Sequence, residues 1–283
     1  MRSPESMSER QFLEPLEGSF WSVYEYSEPG EQEPQKKYVA KRLKQHFLFP
    51  RYSKQERTVE ETQEVANYLR RERDHLRRSY DKAMPNLIPK EKIVVLPSKE
   101  DHPSGEILSV QEKLNDYVEL YKLDMDKLTP NEREEVRKQL DQFITITKSM
   151  ISSADQQDPK FSNAIPDITH LSNLAIEQKD EKLLLRMYDT NYVLPVDSER
   201  AVVQHHLERC AYRLLYIEHH LLGRSLDELF KDPFYTKIVD FVKTHYPNVP
   251  NIGPRQLYDA FFPSRNTPPW QRDQIAPDKT IPE

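Results

Sequence analysis

The chain has 283 residues, enough for one large domain or two closely packed lobes with a sizeable core. Hydrophobic residues make up 36% and charged residues 31%, with a net charge of −6, which disfavours a nucleic-acid binder or a protein held on an anionic membrane. Five glycines against 22 prolines disfavour folds that need many left-handed turns.

In chain order, residues 1–11 are polar and expected to be loose. The next segment holds "LEGSFWSVYEY", residues 16–26, rich in β-formers and without a helical stripe. A Pro/Gly/Glu turn follows, and then "KYVAKRL", which predicts a hairpin. Residues 58–82 predict a helix with apolar positions at Val65, Tyr68, Leu69, Leu76 and Tyr80, opened by a Thr58/Glu61 capping box. "KIVVLP" and "EILSVQEKL", separated by a Pro/Ser/Gly turn at 97–105, predict two paired strands. After residue 115 the character becomes helical. Residues 130–151 carry Val136, Leu140, Phe143, Ile144 and Thr147 on one side. "NLAIEQKDEKLLLRMYD" predicts a second hairpin. Further helices are expected at 198–222, within 225–245 and at 254–262, ahead of a proline-rich tail at 263–283. The expected fold class is α+β in two lobes: a small antiparallel sheet with one long helix at 12–115, and a mainly helical part with one hairpin at 116–262.

The lone cysteine rules out an intramolecular disulfide and fits a reducing compartment. No apolar run approaches membrane-spanning length and the first residues lack a signal-peptide core, so a cytoplasmic location and no membrane partner are expected.

Several short motifs resemble those of the protein-kinase-like family, divergent bacterial members and pseudokinases included. "LEGSFWSVYEY" followed by "KKYVAKRL" resembles a glycine-rich loop and the strand bearing the nucleotide-contacting lysine. The resemblance matches Gly18 to the middle glycine, Phe20 to the loop tip and Val23 to the valine over the adenine. It matches Ala40 and Lys41 to the alanine and lysine of the strand, while Leu16 and Trp21 stand where the family has its other glycines. Glu72 takes the place of the helix glutamate that pairs with the lysine, with Glu64 and Glu61 as alternatives. Backbone groups of Gln111, Glu112 and Lys113 take the hinge positions. "PDITHLSNLAI" resembles the catalytic loop, with Asp167 as base and Asn173 as metal ligand, six residues apart where the family has five. "LLLRMYDTN" resembles the strand leading to the metal-binding aspartate, here Asp189.

The resemblance implies ATP and Mg²⁺ as cofactors and phosphoryl transfer as chemistry. That reaction asks the protein for positioning and charge neutralisation. A lysine supplies a point charge, and carboxylate and amide oxygens suit hard Mg²⁺. "YVLPVDSERAVVQ" after Asp189 offers no evident protein-substrate segment, so the expected acceptor is a small molecule. The alternative is a pseudokinase that binds a protein partner, favoured by the bulk of Trp21 and the irregular catalytic loop. Two other features read as structural. His205, His206, Cys210, His219 and His220 share one helix, with no second element supplying matching metal ligands. The charges of "YLRRERDHLRR" form a solvated helix face.

Overall fold

Antiparallel strand pairing organises the first half of the chain. The computed structural model describes residues 16–17, 21–26, 38–43, 58–97, 105–154, 166, 168, 171–188 and 210–236. Strands β1 (Leu16–Glu17), β2 (Trp21–Tyr26), β3 (Tyr38–Leu43), β4 (Glu91–Leu96) and β5 (Glu106–Glu112) form one sheet in the order β1-β2-β3-β5-β4. Helix α1 (Val59–Asp81) connects β3 to β4. A second sheet joins β6 (Tyr117–Glu119), β7 (Leu174–Lys179) and β8 (Lys182–Met187) in chain order, and α2 (Pro130–Ala154) lies between β6 and β7 in sequence. The compact units are Met1–His206, which holds both sheets, and Leu207–Glu283.

The expected capping box opens α1. The Glu61 N–H donates to Thr58 Oγ1 at 3.1 Å, and the Thr58 N–H donates to Glu61 Oε2 at 2.9 Å. The helix then buries Thr62, Val65, Ala66, Leu69, Arg73, Leu76 and Tyr80. Val65, Ala66 and Leu69 pack on Ile93 and Ile107, which fixes one face of the five-stranded sheet as the α1 face. The other face carries Ala40, Val94, Leu108 and Val110. Gly105, at φ +75°, turns the chain into β5, and a Cβ there would lie 2.6 Å from the Leu96 carbonyl oxygen.

Helix α2 repeats the capping logic with Thr129 and Glu132, and Pro130 stands at its first position. Its expected stripe is buried in full: Val136, Leu140, Phe143, Ile144 and Thr147. Tyr80 joins the two helices, stacking on Phe143 at 5.7 Å and sharing a 2.7 Å hydrogen bond with Thr147. Gln139 accepts from the Leu185 N–H and donates to the Leu183 carbonyl, both at 2.7 Å, so its amide stands in for a neighbouring strand along β8.

The second hairpin forms as expected, and β6 adds a third strand. A three-residue segment is too short to show a period-2 pattern, which is why β6 escapes a sequence reading. In the second unit, residues 210–216 are helical and lead into a π-helical turn, Ile217–Leu221. Buried Glu218 accepts there from the Tyr235 hydroxyl and pairs with Arg224. A short helix, Leu226–Leu229, follows, and helix resumes at 233–236 after Asp232, with Pro233 at a tolerated first position. Expectations for residues 1–11, residues 18–20 of the glycine-rich stretch, 198–209, 237–245, 254–262 and the tail lie outside the described residues.

The β7–β8 turn places Asp180 at φ 49° and Glu181 at φ 62°. Positive φ at both central residues suits Asp-Gly far better than Asp-Glu. Glu181→Gly is therefore expected to stabilise the chain by about 1 kcal/mol, the usual cost of a left-handed non-glycine residue. Thermal denaturation of the two proteins checks this, and a lower midpoint for the glycine variant would contradict it.

Candidate functional site

Lys41 sits mid-strand in β3, paired across β2 to Val23 and across β5 to Ser109. Strand alternation puts Val39 and Lys41 on one face with Ser109 and Gln111, which is the α1 face. Lys41 is 7% exposed, and its ammonium donates to the Tyr188 carbonyl at 2.9 Å. Tyr188 follows β8 directly and precedes Asp189. Opposite it, the Asn173 carbonyl accepts from the Tyr188 N–H at 3.1 Å. The structure thus brings together Lys41, Asn173 and the residue next to Asp189. Asp167, Asp189 and Gly18 themselves lie outside the described residues.

The three-stranded sheet is two-faced. Leu174, Ile176, Leu183, Leu185 and Met187 alternate onto one buried face. Tyr117, Glu119, Ala175, Glu177, Arg186 and Tyr188 alternate onto the other. On that polar face the Tyr117 and Tyr188 rings lie 5.5 Å apart, and the Tyr188 hydroxyl donates to Glu119 at 3.2 Å. Glu119 also pairs with Lys122. Burial acts to raise the Glu119 carboxyl, but the hydrogen bonds from Lys122, Tyr121 and Tyr188 outweigh it and the net direction is down.

Arg186 is buried on the same face. Its Nε lies 3.3 Å from Glu177 and its terminal nitrogen 3.4 Å from Glu112 at the end of β5. Glu112 also accepts from Lys179 at 2.9 Å. Burial would raise the Glu112 carboxyl, and the Lys179 hydrogen bond with the charges of Lys179 and Arg186 brings it below the ordinary carboxylate value.

Helix α1 meets the sheet through a cation. Arg73 pairs with Glu91 of β4, whose side chain is 1% exposed, and Glu91 also accepts from Ser109, the cross-strand neighbour of Lys41. Arg70 and Arg77 donate to the Ile93 and Pro89 carbonyls along the same edge. Glu72 lies on the opposite flank, half-buried beside Tyr68. Burial pushes its carboxyl up to about 7, only partly offset by Arg71, while burial and the Glu72 charge together push the Tyr68 hydroxyl up. Of the alternative acids, Glu61 closes the capping box and Glu64 is exposed.

No protein-family model and no curated protein matches the chain. Among solved structures it is similar to the PknI kinase domain of Mycobacterium tuberculosis, at 13% identity over 76% of this chain and 77% of that one, with a TM-score of 0.35. It is also similar to the PAN3 pseudokinase of Drosophila melanogaster, at 11% identity over 89% of this chain and 63% of that one, with a TM-score of 0.31. Likenesses of this size carry no weight for function, which rests on the residues themselves.

Two expected ligand positions have other surroundings. Ala40 and Lys41 are consecutive, so they point to opposite faces. Ala40 is fully buried among Val94, Leu108 and Val110, and the neighbour of Lys41 on its own face is Val39. The Glu112 N–H donates to the Lys90 carbonyl at 2.8 Å, so it is already engaged within the protein. Gln111 is 3% exposed on the Lys41 face, and its Oε1 has no hydrogen-bond partner among the described residues. Val23 is placed by its backbone pairing, and Lys113 follows directly on β5. The residues that the sequence reading missed are Glu91, Arg73, Ser109, Glu177 and Arg186. A signal existed for the last two: each is a charge next to an apolar run, in "LAIE" and "LLLRM".

Among the described residues no group of three His, Cys, Asp or Glu could hold a metal. His219 Nδ1 lies 2.8 Å from the Arg224 carbonyl and the His220 ring packs on Tyr216 at 4.4 Å, so both have structural surroundings. No helix among the described residues is long and apolar enough to cross a membrane.

Two outcomes follow from these electrostatics. A carboxyl raised from 4.5 to about 7 favours the folded state below pH 4.5, and that advantage is lost as pH rises through 7. Glu72→Gln should therefore be more stable than the native chain at pH 8, by on the order of 1 kcal/mol once solvent screening is allowed for, with the gain shrinking at pH 5. Urea denaturation at both pH values reads this, and a variant less stable at pH 8 would show a cation engaging Glu72. Separately, Arg73→Ala should cost about 3–5 kcal/mol by stranding the buried Glu91 charge, and the double change Arg73→Met, Glu91→Leu should recover much of it. Equal losses in the single and double variants would contradict that assignment.

Proposed function

We propose that the first unit is a kinase-like nucleotide site and that the chain is an ATP- and Mg²⁺-dependent phosphotransferase acting on a small-molecule hydroxyl. The observation that carries this reading is the Lys41 ammonium reaching the end of β8, one residue before Asp189 and across the hairpin from Asn173. The order of three strands, a helix and two strands around Lys41 supports it, as do the short motifs in the sequence. In this reading Lys41 binds the α/β phosphates. Asn173 and Asp189 offer oxygen ligands to Mg²⁺, which when bound neutralises charge on the transferring group. Asp167 holds the proton leaving the acceptor hydroxyl as its oxygen bonds to the γ-phosphorus and the bond to the β-phosphate oxygen breaks.

A second reading, a kinase-shaped binding module without catalysis, is favoured by a specific arrangement. The charge acting on Glu72 is Arg71's, the Lys41 ammonium contacts a backbone carbonyl, and Trp21 opens β2 where the family has a glycine.

Thermal denaturation with millimolar ATP, with and without Mg²⁺, separates the possibilities. Ligand binding stabilises the native state by mass action, by about 2.7 kcal/mol at one hundred times Kd, and so raises the midpoint. The native chain should shift, Lys41→Ala should lose the shift, and Asp189→Ala should lose its Mg²⁺-dependent part. A shift without phosphoryl transfer to any hydroxyl acceptor supports the second reading. No shift in the native chain or in Trp21→Gly rules out the nucleotide site.

A further inference from the structure

We propose that Arg186 is a positioning residue that sets where the Tyr188 carbonyl meets the Lys41 ammonium. This rests on the reading of Lys41 and Asp189 as one site. Arg186 lies two residues before Tyr188 on β8, and its guanidinium spans two carboxylates from different elements. Glu177 belongs to β7, within the same sheet, and Glu112 ends β5, within the other sheet. Glu177 is itself fixed, because its second oxygen accepts from the Asn115 N–H at 3.1 Å, in the link between β5 and β6. Glu112 is held in the five-stranded sheet by its pairing with Tyr38, three residues before Lys41 on β3. The ties between β8 and the Lys41 sheet include Glu112 to Arg186 and, just past the strand end, Lys41 to the Tyr188 carbonyl.

The first tie controls the second for three physical reasons. Arg186 and Glu177 are both 3% exposed, so their pairing is little screened by salt. A buried guanidinium cannot be left uncompensated, so Arg186 draws both carboxylates together wherever it goes. The planar fork addresses two partners in fixed directions, which an ammonium cannot do. Lys179 reaches the same carboxylate at 2.9 Å, but from an exposed side chain where solvent screens the pairing.

The test is the amine reactivity of Lys41 toward reductive methylation, read by peptide mass spectrometry on the full chain, with Lys122 as internal reference. Hydrogen exchange of α2 reports whether the fold survives. Arg186→Met should raise Lys41 methylation several-fold while α2 stays protected. Arg186→Lys should restore only part of the protection, and Lys179→Met should match the native chain. Glu112→Gln, at a partly exposed position, should give the same rise if Arg186→Met fails to fold. Unchanged Lys41 reactivity in Arg186→Met, or in Glu112→Gln where that is the variant that folds, overturns the proposal, as does an equal rise in Lys179→Met. Absence of an ATP-induced thermal shift in the native chain would instead overturn the nucleotide reading and leave the methylation result to decide the tie on its own.

Discussion

A buried ammonium has few places to go, and that constraint organises the first unit. Lys41 lies in the middle of β3 between β2 and β5 and is buried, so its charge needs an acceptor within the protein. The Tyr188 carbonyl is one such acceptor. Because Tyr188 directly follows β8 of the second sheet, the lysine ties one sheet to the end of the other.

The polar face of the three-stranded sheet follows from the same demand. A two-sided sheet beneath a charged neighbour needs one apolar face for the helix and one polar face for the charge. Leu174, Ile176, Leu185 and Met187 supply the first and Ala175, Glu177, Arg186 and Tyr188 the second. Each buried charge on the polar face is met: Arg186 by Glu177 and Glu112, and Glu177 by Arg186 and the Asn115 N–H. Such pairs contribute specificity of arrangement more than net stability, since their desolvation cost offsets much of their attraction.

Local rules made the elements legible in the sequence. The capping box of α1, the stripe of α2 and the second hairpin depend on residues within one turn or one strand pair, and those signals survive in a single sequence. The candidate site was legible only in part. Lys41 and Asn173 could be located on the fold, though not assigned a role, because Lys41 lies within one recognisable strand and Asn173 directly precedes another. Ala40 could not be placed from the motif, because adjacent residues on a strand take opposite faces whatever the motif suggests. The Arg73–Glu91 pair joins residues 18 apart, and the Arg186–Glu112 pair residues 74 apart. No periodicity encodes such pairings, since they depend on sheet order and register.

The α1 helix shows how tertiary demand outweighs motif. A pattern reading of its sequence offers Glu61, Glu64 and Glu72 and asks which of them meets Lys41. The sheet asks a different question, because Glu91 lies buried on its α1 face and needs a cation. Arg73 answers that need, flanked along the same edge by Arg70 and Arg77 on open carbonyls. Three arginines on one flank set the rotation of the helix and leave Glu72 and Tyr68 on the other. A carboxyl so placed, half-buried and with its pKa pushed up to about 7, is poised to change charge near neutral pH when a cation comes near it. The rotation of α1, set by arginines that bond to β4 and its approach, thus decides the burial of Glu72 and with it the direction of its pKa.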